Sequence, residues 1–275
     1  MRSAVWLICR QEFTLNRRNR WVLSFALLFA VLTLVLAYFG MVTSGYAGFQ
    51  DFTRTAASIV NLGGFLIPLF AMLLGVFSFI TNHGYFEILI TQPVPRWKVL
   101  LGRYLGLLLT IVGASLLGFG LPGAVIALAI GVAGAQSYLA VVAYSILLAM
   151  VFTGLSVLIS LIAQRRQIAL GLALGTWVFF ELVYGMLMLG TTLYLSPAVL
   201  KTVLPLGLMG NPVDIVRVLS LLQVGGDHLY GPAGATLMKL TGSSVATTGI
   251  GLLGLLVWVV VPLVLSMRIL SRQNL

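Results

Sequence analysis

The sequence predicts an all-α membrane protein with six spanning helices and both ends in the cytoplasm. Apolar residues make up 60% of the 275-residue chain and charged residues only 8%, against about 25% charged in an ordinary soluble domain. Mean hydropathy is +1.10. Apolar runs recur at the length of about 20 residues that crosses a hydrocarbon core about 30 Å thick. Lysine and arginine alternate in density from one connecting loop to the next, as they do when a chain weaves across a bilayer.

Taken in order, positions 1–20 read as an amphipathic pre-span helix. Val5, Trp6, Cys9 and Phe13 share one face, with Arg2, Arg10 and Arg17 elsewhere. This stretch is too charged for a signal n-region, and no A-x-A-like cleavage site follows the next apolar run, so no removable signal is predicted. Spans are predicted at 21–41, 59–80, 104–130, 138–162, 168–193 and 248–267. Pro122-Gly123 interrupts the third and predicts a kink or an early exit. The pairs Gly102/Gly106 and Gly171/Gly175 have the four-residue spacing that lets helix backbones approach closely. With no internal repeat and no linker, one transmembrane domain over 1–275 is the simplest division.

Charge sets the orientation. Arg2, Arg10, Arg17, Arg18, Arg20, Arg96, Lys98, Arg103, Arg165, Arg166, Arg268 and Arg272 fall on one side, and Arg54, Lys201, Arg217 and Lys239 on the other. The richer side is cytoplasmic by the positive-inside rule. The net charge of +10 is thus accounted for by topology and by attraction to anionic lipid. No basic face with interleaved aromatics exists, and no nucleic-acid partner is expected. A single cysteine, Cys9, allows no internal disulfide and reads as a small apolar residue.

The cytoplasmic loop at 81–103 is the most informative segment. It reads HGYFEILITQPVPRWKVLLGR from His83 to Arg103, polar enough to leave the membrane yet rich in apolar groups that a plain connector would not need. Pro93 and Pro95 place a corner in its middle. Such a loop offers apolar and charged groups to a cytoplasmic partner, or rests on lipid as an interfacial helix. Glu87, then apolar residues, then Gln92-Pro93-Val94-Pro95-Arg96 and Leu101-Gly102-Arg103 resemble the coupling-loop signature of ABC-2 type permeases. That resemblance implies six spans per subunit, a homodimer and a separate ABC ATPase that binds ATP and Mg²⁺. It makes Glu87, Gln92, Pro93, Arg96, Trp97, Lys98 and Arg103 candidates for the ATPase contact, with Arg165 and Arg166 as a second set. It also implies a multi-pass protein of the bacterial inner membrane.

The long outer segment at 194–247 narrows the likeness. NPVDIVRVLSLLQ at 211–223 and GGDHLYGPAGATLMK at 225–239 resemble those ABC-2 permeases that support copper-site assembly of nitrous oxide reductase during denitrification. The implied partners are a periplasmic accessory protein and a copper-chaperone lipoprotein. The implied activity is export of a sulfur or copper species, or transmission of motion to the periplasmic partner. Asn211, Pro212, Asp214, Arg217, Asp227 and His228 are the implied docking residues. From the residues themselves, Asn211 caps a helix with Pro212 in its first turn. Val213, Val216, Leu219 and Leu222 form a stripe on a helix lying on or dipping into the outer leaflet, and Asp214 and Arg217 are spaced to pair.

Glu181 lies deep in the fifth span, where a carboxylate costs about 2–3 kcal/mol on insertion scales. It reads as a polar gate or as a structural hydrogen-bonding group. No metal ligand set is predicted: the soft candidates Met41, Met186, Met188, Met209 and Met238, with His83 and His228, never place two ligand types one turn apart in a span. The chain has no Gly-x-x-x-x-Gly-Lys-Ser/Thr loop, no G-x-S-x-G elbow and no His-Glu-x-x-His. It is therefore expected to be a non-catalytic subunit that binds no cofactor of its own. A generic ABC-2 exporter of lipid, drug or polysaccharide is the alternative, and a secondary transporter built around Glu181 the next.

Overall fold

The computed structural model describes residues 4–47, 50–81, 94–130, 132–163, 165–224 and 231–272, and every element among them is helical. In chain order these are α1 (Ala4–Arg17), α2 (Arg20–Ala47), α3 (Gln50–Thr81), α4 (Arg96–Ile130), α5 (Val132–Ala163) and α6 (Arg166–Val178). A π-helical turn (Phe179–Val183) joins α6 to α7 (Tyr184–Tyr194), followed by α8 (Pro197–Met209), α9 (Pro212–Val224), α10 (Gly231–Thr241) and α11 (Ser244–Arg272). Six stretches are long and apolar enough to cross a membrane: Arg20–Phe39, Ala56–Ile80, Arg96–Gly120, Gln136–Ala163, Arg166–Tyr194 and Ser244–Arg272. They match the six predicted spans one for one. The third starts earlier, at Arg96, because Pro95 opens a helical turn: its carbonyl accepts from Lys98 N at 2.9 Å.

Pro122-Gly123 was expected to kink the third span or end it early; the span-length apolar stretch ends at Gly120, while the helix α4 itself continues to Ile130. A proline lacks the N–H that would bond the carbonyl four residues back, here that of Gly118. The hydroxyl of Thr33 on α2 donates to Gly118 O at 2.8 Å, and Tyr138 on α5 donates to Phe119 O at 2.7 Å. Side chains from two neighbours thus take up carbonyls around the proline, as hydrocarbon surroundings require.

Backbone proximity decides where the glycines matter. A Cβ on Gly102 would lie 2.8 Å from Ile8 Cβ, and one on Gly106 would lie 2.6 Å from Cys9 O and from Glu12 Cβ. This glycine pair is where α1 beds onto α4. A Cβ on Gly171 or Gly175 would meet nothing within 4 Å among the described residues, so no close helix approach depends on that pair there. On α1 the buried residues are Ile8, Cys9, Glu12 and Asn16. Of the predicted apolar face Val5, Trp6, Cys9 and Phe13, Cys9 is buried and Val5 and Phe13 are half-buried, whereas Trp6 is 49% exposed; the helix turns its Glu12 side inward. Burial pushes the Cys9 thiol above its ordinary range, in keeping with a small apolar residue.

Three contacts gather the α1 end of the bundle. Arg96 at the start of α4 donates to Leu270 O near the end of α11 at 2.8 Å. The Arg166 guanidinium sits over the Phe77 ring at 5.0 Å, joining the start of α6 to the end of α3. Arg103 donates to Ser78 O at 2.9 Å. At the opposite end, Ser137 donates to Gln223 O at 2.9 Å, and α8 and α9 form a bent pair with a 100° turn between them. On α9, Val213, Ile215, Val216 and Leu219 are buried among α3, α5 and α11.

Gly106→Val should loosen α1 from α4 at a cost of about 1–3 kcal/mol through overpacking, read as a lower thermal midpoint in detergent, while Gly171→Val leaves the midpoint of a dilute sample unchanged.

Candidate functional site

The first constellation is a buried charge pair at the α1 end. Arg103 Nε lies 3.2 Å from Glu12 Oε2, and both side chains are fully buried. Glu12 Oε1 accepts from the Ser78 hydroxyl and from Asn16 Nδ2 at 3.1 Å. The guanidinium also stacks over the Phe79 ring at 4.1 Å. Desolvating two ions is expensive, and breaking such a pair typically costs about 3–5 kcal/mol because a lone charge stays buried. The pair is possible here because Gly102 and Gly106 bring the α1 backbone close enough for Glu12 to reach across. Its members sit on α1, on the last turn of α3 and on the second turn of α4. The node therefore clamps the pre-span helix to both ends of the predicted coupling loop.

The predicted coupling residues divide into three groups. Glu87, Gln92 and Pro93 lie outside the described residues. Trp97 is 49% exposed with Lys98 Nζ 5.5 Å from its ring, and Arg165 and Arg166 are exposed. These four line the same end of the bundle as half-buried Arg96. Arg103 was expected on the contact surface and is instead completely buried, because Glu12 and the Ser78 carbonyl draw its guanidinium inward. Glu12 was missed by the sequence reading. The available signal was a lone acid flanked at four-residue spacing by Ile8 and Asn16, opposite a glycine pair.

The second constellation lies at the far end, around the bend between α8 and α9. Asn211 Oδ1 accepts from Val213 N at 3.0 Å, the cap the sequence predicts. Its Nδ2 donates to Asp214 Oδ2 at 2.8 Å and to Phe180 O, in the π turn, at 2.9 Å. A π turn shifts the donor register and leaves a carbonyl over, and such turns concentrate at functional sites. Carbonyls in the last turn of α8 also accept from other helices: Tyr184 donates to Gly207 O at 2.6 Å and Trp258 Nε1 to Met209 O at 3.0 Å. Arg217 Nη1 bonds Asp214 Oδ1 at 2.8 Å, the predicted pair, and Arg217 Nη2 lies 3.5 Å from Glu181 Oε1.

These contacts change the reading of the outer residues. Asn211 is 1% exposed and Pro212 is buried, so they are internal braces and not a docking surface: the bend needs Asn211's amide more than solvent does. Glu181, 93% buried at its side chain, belongs to the same cluster as Asp214 and Arg217. One guanidinium serves two carboxylates. Beside it a cavity of about 260 Å³ is lined by Gly185, Met188, Thr192, Leu204, Asp214 and Arg217 among others. Asp227 and His228 lie outside the described residues. Among the described residues no group of three or more His, Cys, Asp or Glu converges on a metal position.

A family model described as ABC-2 family transporter protein matches residues 6–275. The chain belongs to the ABC-2 transporter family. It is also similar to two proteins described as "Probable ABC transporter permease protein NosY". One, from Stutzerimonas stutzeri, is 34% identical over 279 residues, covering 98% of this chain and 99% of the relative. The other, from Pseudomonas aeruginosa (strain PAO1), is 35% identical over 223 residues, covering 79% and 81%. The two constellations thus lie in a transmembrane ABC permease, a subunit type whose ATPase is a separate chain. The node at α1 brackets the loop assigned from sequence to the ATPase, and the Asn211 bend lies at the other end of the same helices.

Asn211→Leu in this permease should orphan the Phe180 carbonyl and the Val213 amide. Each buried unpaired group costs about 1–3 kcal/mol, so a clear fall in thermal midpoint is expected, with Asn211→Asp retaining the α9 cap and falling less.

Proposed function

We propose that this chain is the permease subunit of an ATP-driven ABC transporter of the NosY type, serving copper-site assembly of nitrous oxide reductase. The observation that carries the coupling half of this reading is the Glu12–Arg103–Ser78 node. A loop fastened at both ends to a buried ion pair passes a push on to the helices, where a loosely tethered loop would absorb it. In this reading the chain is a homodimer in the bacterial inner membrane, with two ATPase subunits holding ATP and Mg²⁺ on the cytoplasmic side. The positive-inside count puts α1, the start of α4 and the end of α11 on that side.

ATP-driven closure of the ATPases moves the loop and α1 together. Trp97, Arg165 and Arg166 supply exposed contact groups beside half-buried Lys98, and Arg96 carries displacement to α11 through its bond to Leu270 O. The movement reaches the opposite end through α6, whose π turn is tied to α9 by Asn211. There the Glu181–Asp214–Arg217 cluster is positioned to respond, either by admitting a sulfur or copper species as cargo or by moving the periplasmic face against an accessory protein. A generic ABC-2 exporter is the second reading, favoured by the cavity beside Asp214 and Arg217.

Gentle detergent purification of the tagged protein from its own host, followed by mass spectrometry, tests both readings. An ATPase together with a periplasmic protein is the expected result. An ATPase alone favours the exporter, and neither sinks the ABC reading. Trp97→Ala combined with Lys98→Glu is expected to reduce the ATPase recovered at least tenfold without changing the amount of permease in the membrane.

A further inference from the structure

Arg17, Arg18 and Arg20 stand at the corner between α1 and α2, and Arg10 lies about two turns back on α1. Arg10, Arg17, Arg18 and Arg20 are all exposed, and no carboxylate pairs with any of them among the described residues. The chain has six acidic residues. Glu12, the acid of α1, is turned inward and held by Arg103. Glu181 and Asp214 are held by Arg217 at the far end, and Asp51 and Asp227 fall by sequence in loops of that opposite side. Only Glu12 and Glu87 share the side on which twelve basic residues lie, so neutralisation has to come from outside the chain.

Position says what supplies it. Along α2 an exposed apolar stripe of Leu23, Leu27, Leu28 and Val31 leads directly up to Arg20 and to Trp21, which is 71% exposed. On α1, Leu7 and Leu15 are about half exposed beside Arg10 and Arg17. Aliphatic carbon, then indole, then guanidinium is the vertical order of acyl chains, interface and phosphate in a bilayer leaflet. An acidic protein surface would answer the charge but not the apolar stripe that continues into the span.

The corner itself is built rigidly. Asn19 Oδ1 accepts from Trp21 N at 3.0 Å, Asn19 N donates to Asn16 O at 2.9 Å, and Asn19 O accepts from Val22 N at 3.0 Å. Asn16 in turn bonds Glu12. We infer that the α1–α2 corner binds anionic phospholipid headgroups through Arg10, Arg17, Arg18 and Arg20, and that lipid bound there steadies the Glu12–Arg103 node through Asn16. The corner's placement at the cytoplasmic leaflet rests on the topology proposed above; the lipid preference itself does not need the ATPase.

The test is native mass spectrometry of the purified transporter complex after equilibration in nanodiscs of equal phosphatidylglycerol and phosphatidylcholine. The wild type should retain phosphatidylglycerol in preference. Attraction of about fivefold per arginine predicts a fall of at least that size in Arg17→Gln/Arg18→Gln, with retention restored in Arg17→Lys/Arg18→Lys. Equal retention of the two lipids by the wild type overturns the inference, as does unchanged phosphatidylglycerol retention in the glutamine variant. Loss of the ATPase from that variant with lipid retention intact also overturns it and assigns the corner to protein contact. A lipid preference that the glutamine variant loses, seen in a preparation without any ATPase, upholds the inference while removing the ABC reading.

Discussion

Hydrocarbon offers no water to a broken helix, so every backbone group released by a bend needs a side chain to meet it. The far half of this permease follows from that constraint. Thr33 meets the carbonyl that Pro122 leaves open, Asn211 meets the one at the π turn, and Tyr184 and Trp258 donate to carbonyls in the last turn of α8. Each partner comes from a different helix than the carbonyl it serves. Satisfying the backbone and bracing one helix against another are therefore the same contacts, and irregular geometry at 179–183 and 210–211 is held firmly.

At the other end the same logic is applied to charge. Glu12 and Arg103 are stable out of water only because they face each other with Ser78, Asn16 and the Phe79 ring around them. Apolar packing alone permits small sliding of α1 along α4, since dispersion contacts are weakly directional. A buried ion pair has one register. That makes it suited to a part of the molecule that has to receive a push without slipping, and it explains why the two glycines that allow the approach lie opposite it.

How far the sequence revealed this depended on whether a feature was local. Six spans were legible because length and apolarity are properties of single segments. The Asn211 cap and the Asp214–Arg217 pair were legible for the same reason. The Glu12–Arg103 contact joins residues 91 apart, and the Asn211–Phe180 contact joins residues 31 apart, so neither is written in any one segment. That α4 continues past Pro122 was not legible, because the proline rule considers its own helix, whereas the carbonyls around it are met by Thr33 and Tyr138 on neighbours. Arg103 misled because its loop reads as a contact surface, and only the inward acid of α1 reassigns it.

A double-mutant cycle on Glu12 and Arg103, read as thermal unfolding of the purified complex in nanodiscs, tests the central claim most directly. Glu12→Met and Arg103→Leu are each expected to cost about 3–5 kcal/mol by stranding a buried charge, and the two combined to cost much less than their sum. Single variants as stable as the wild type, or a double variant that loses the full sum, would contradict a node that fastens α1 to the coupling loop.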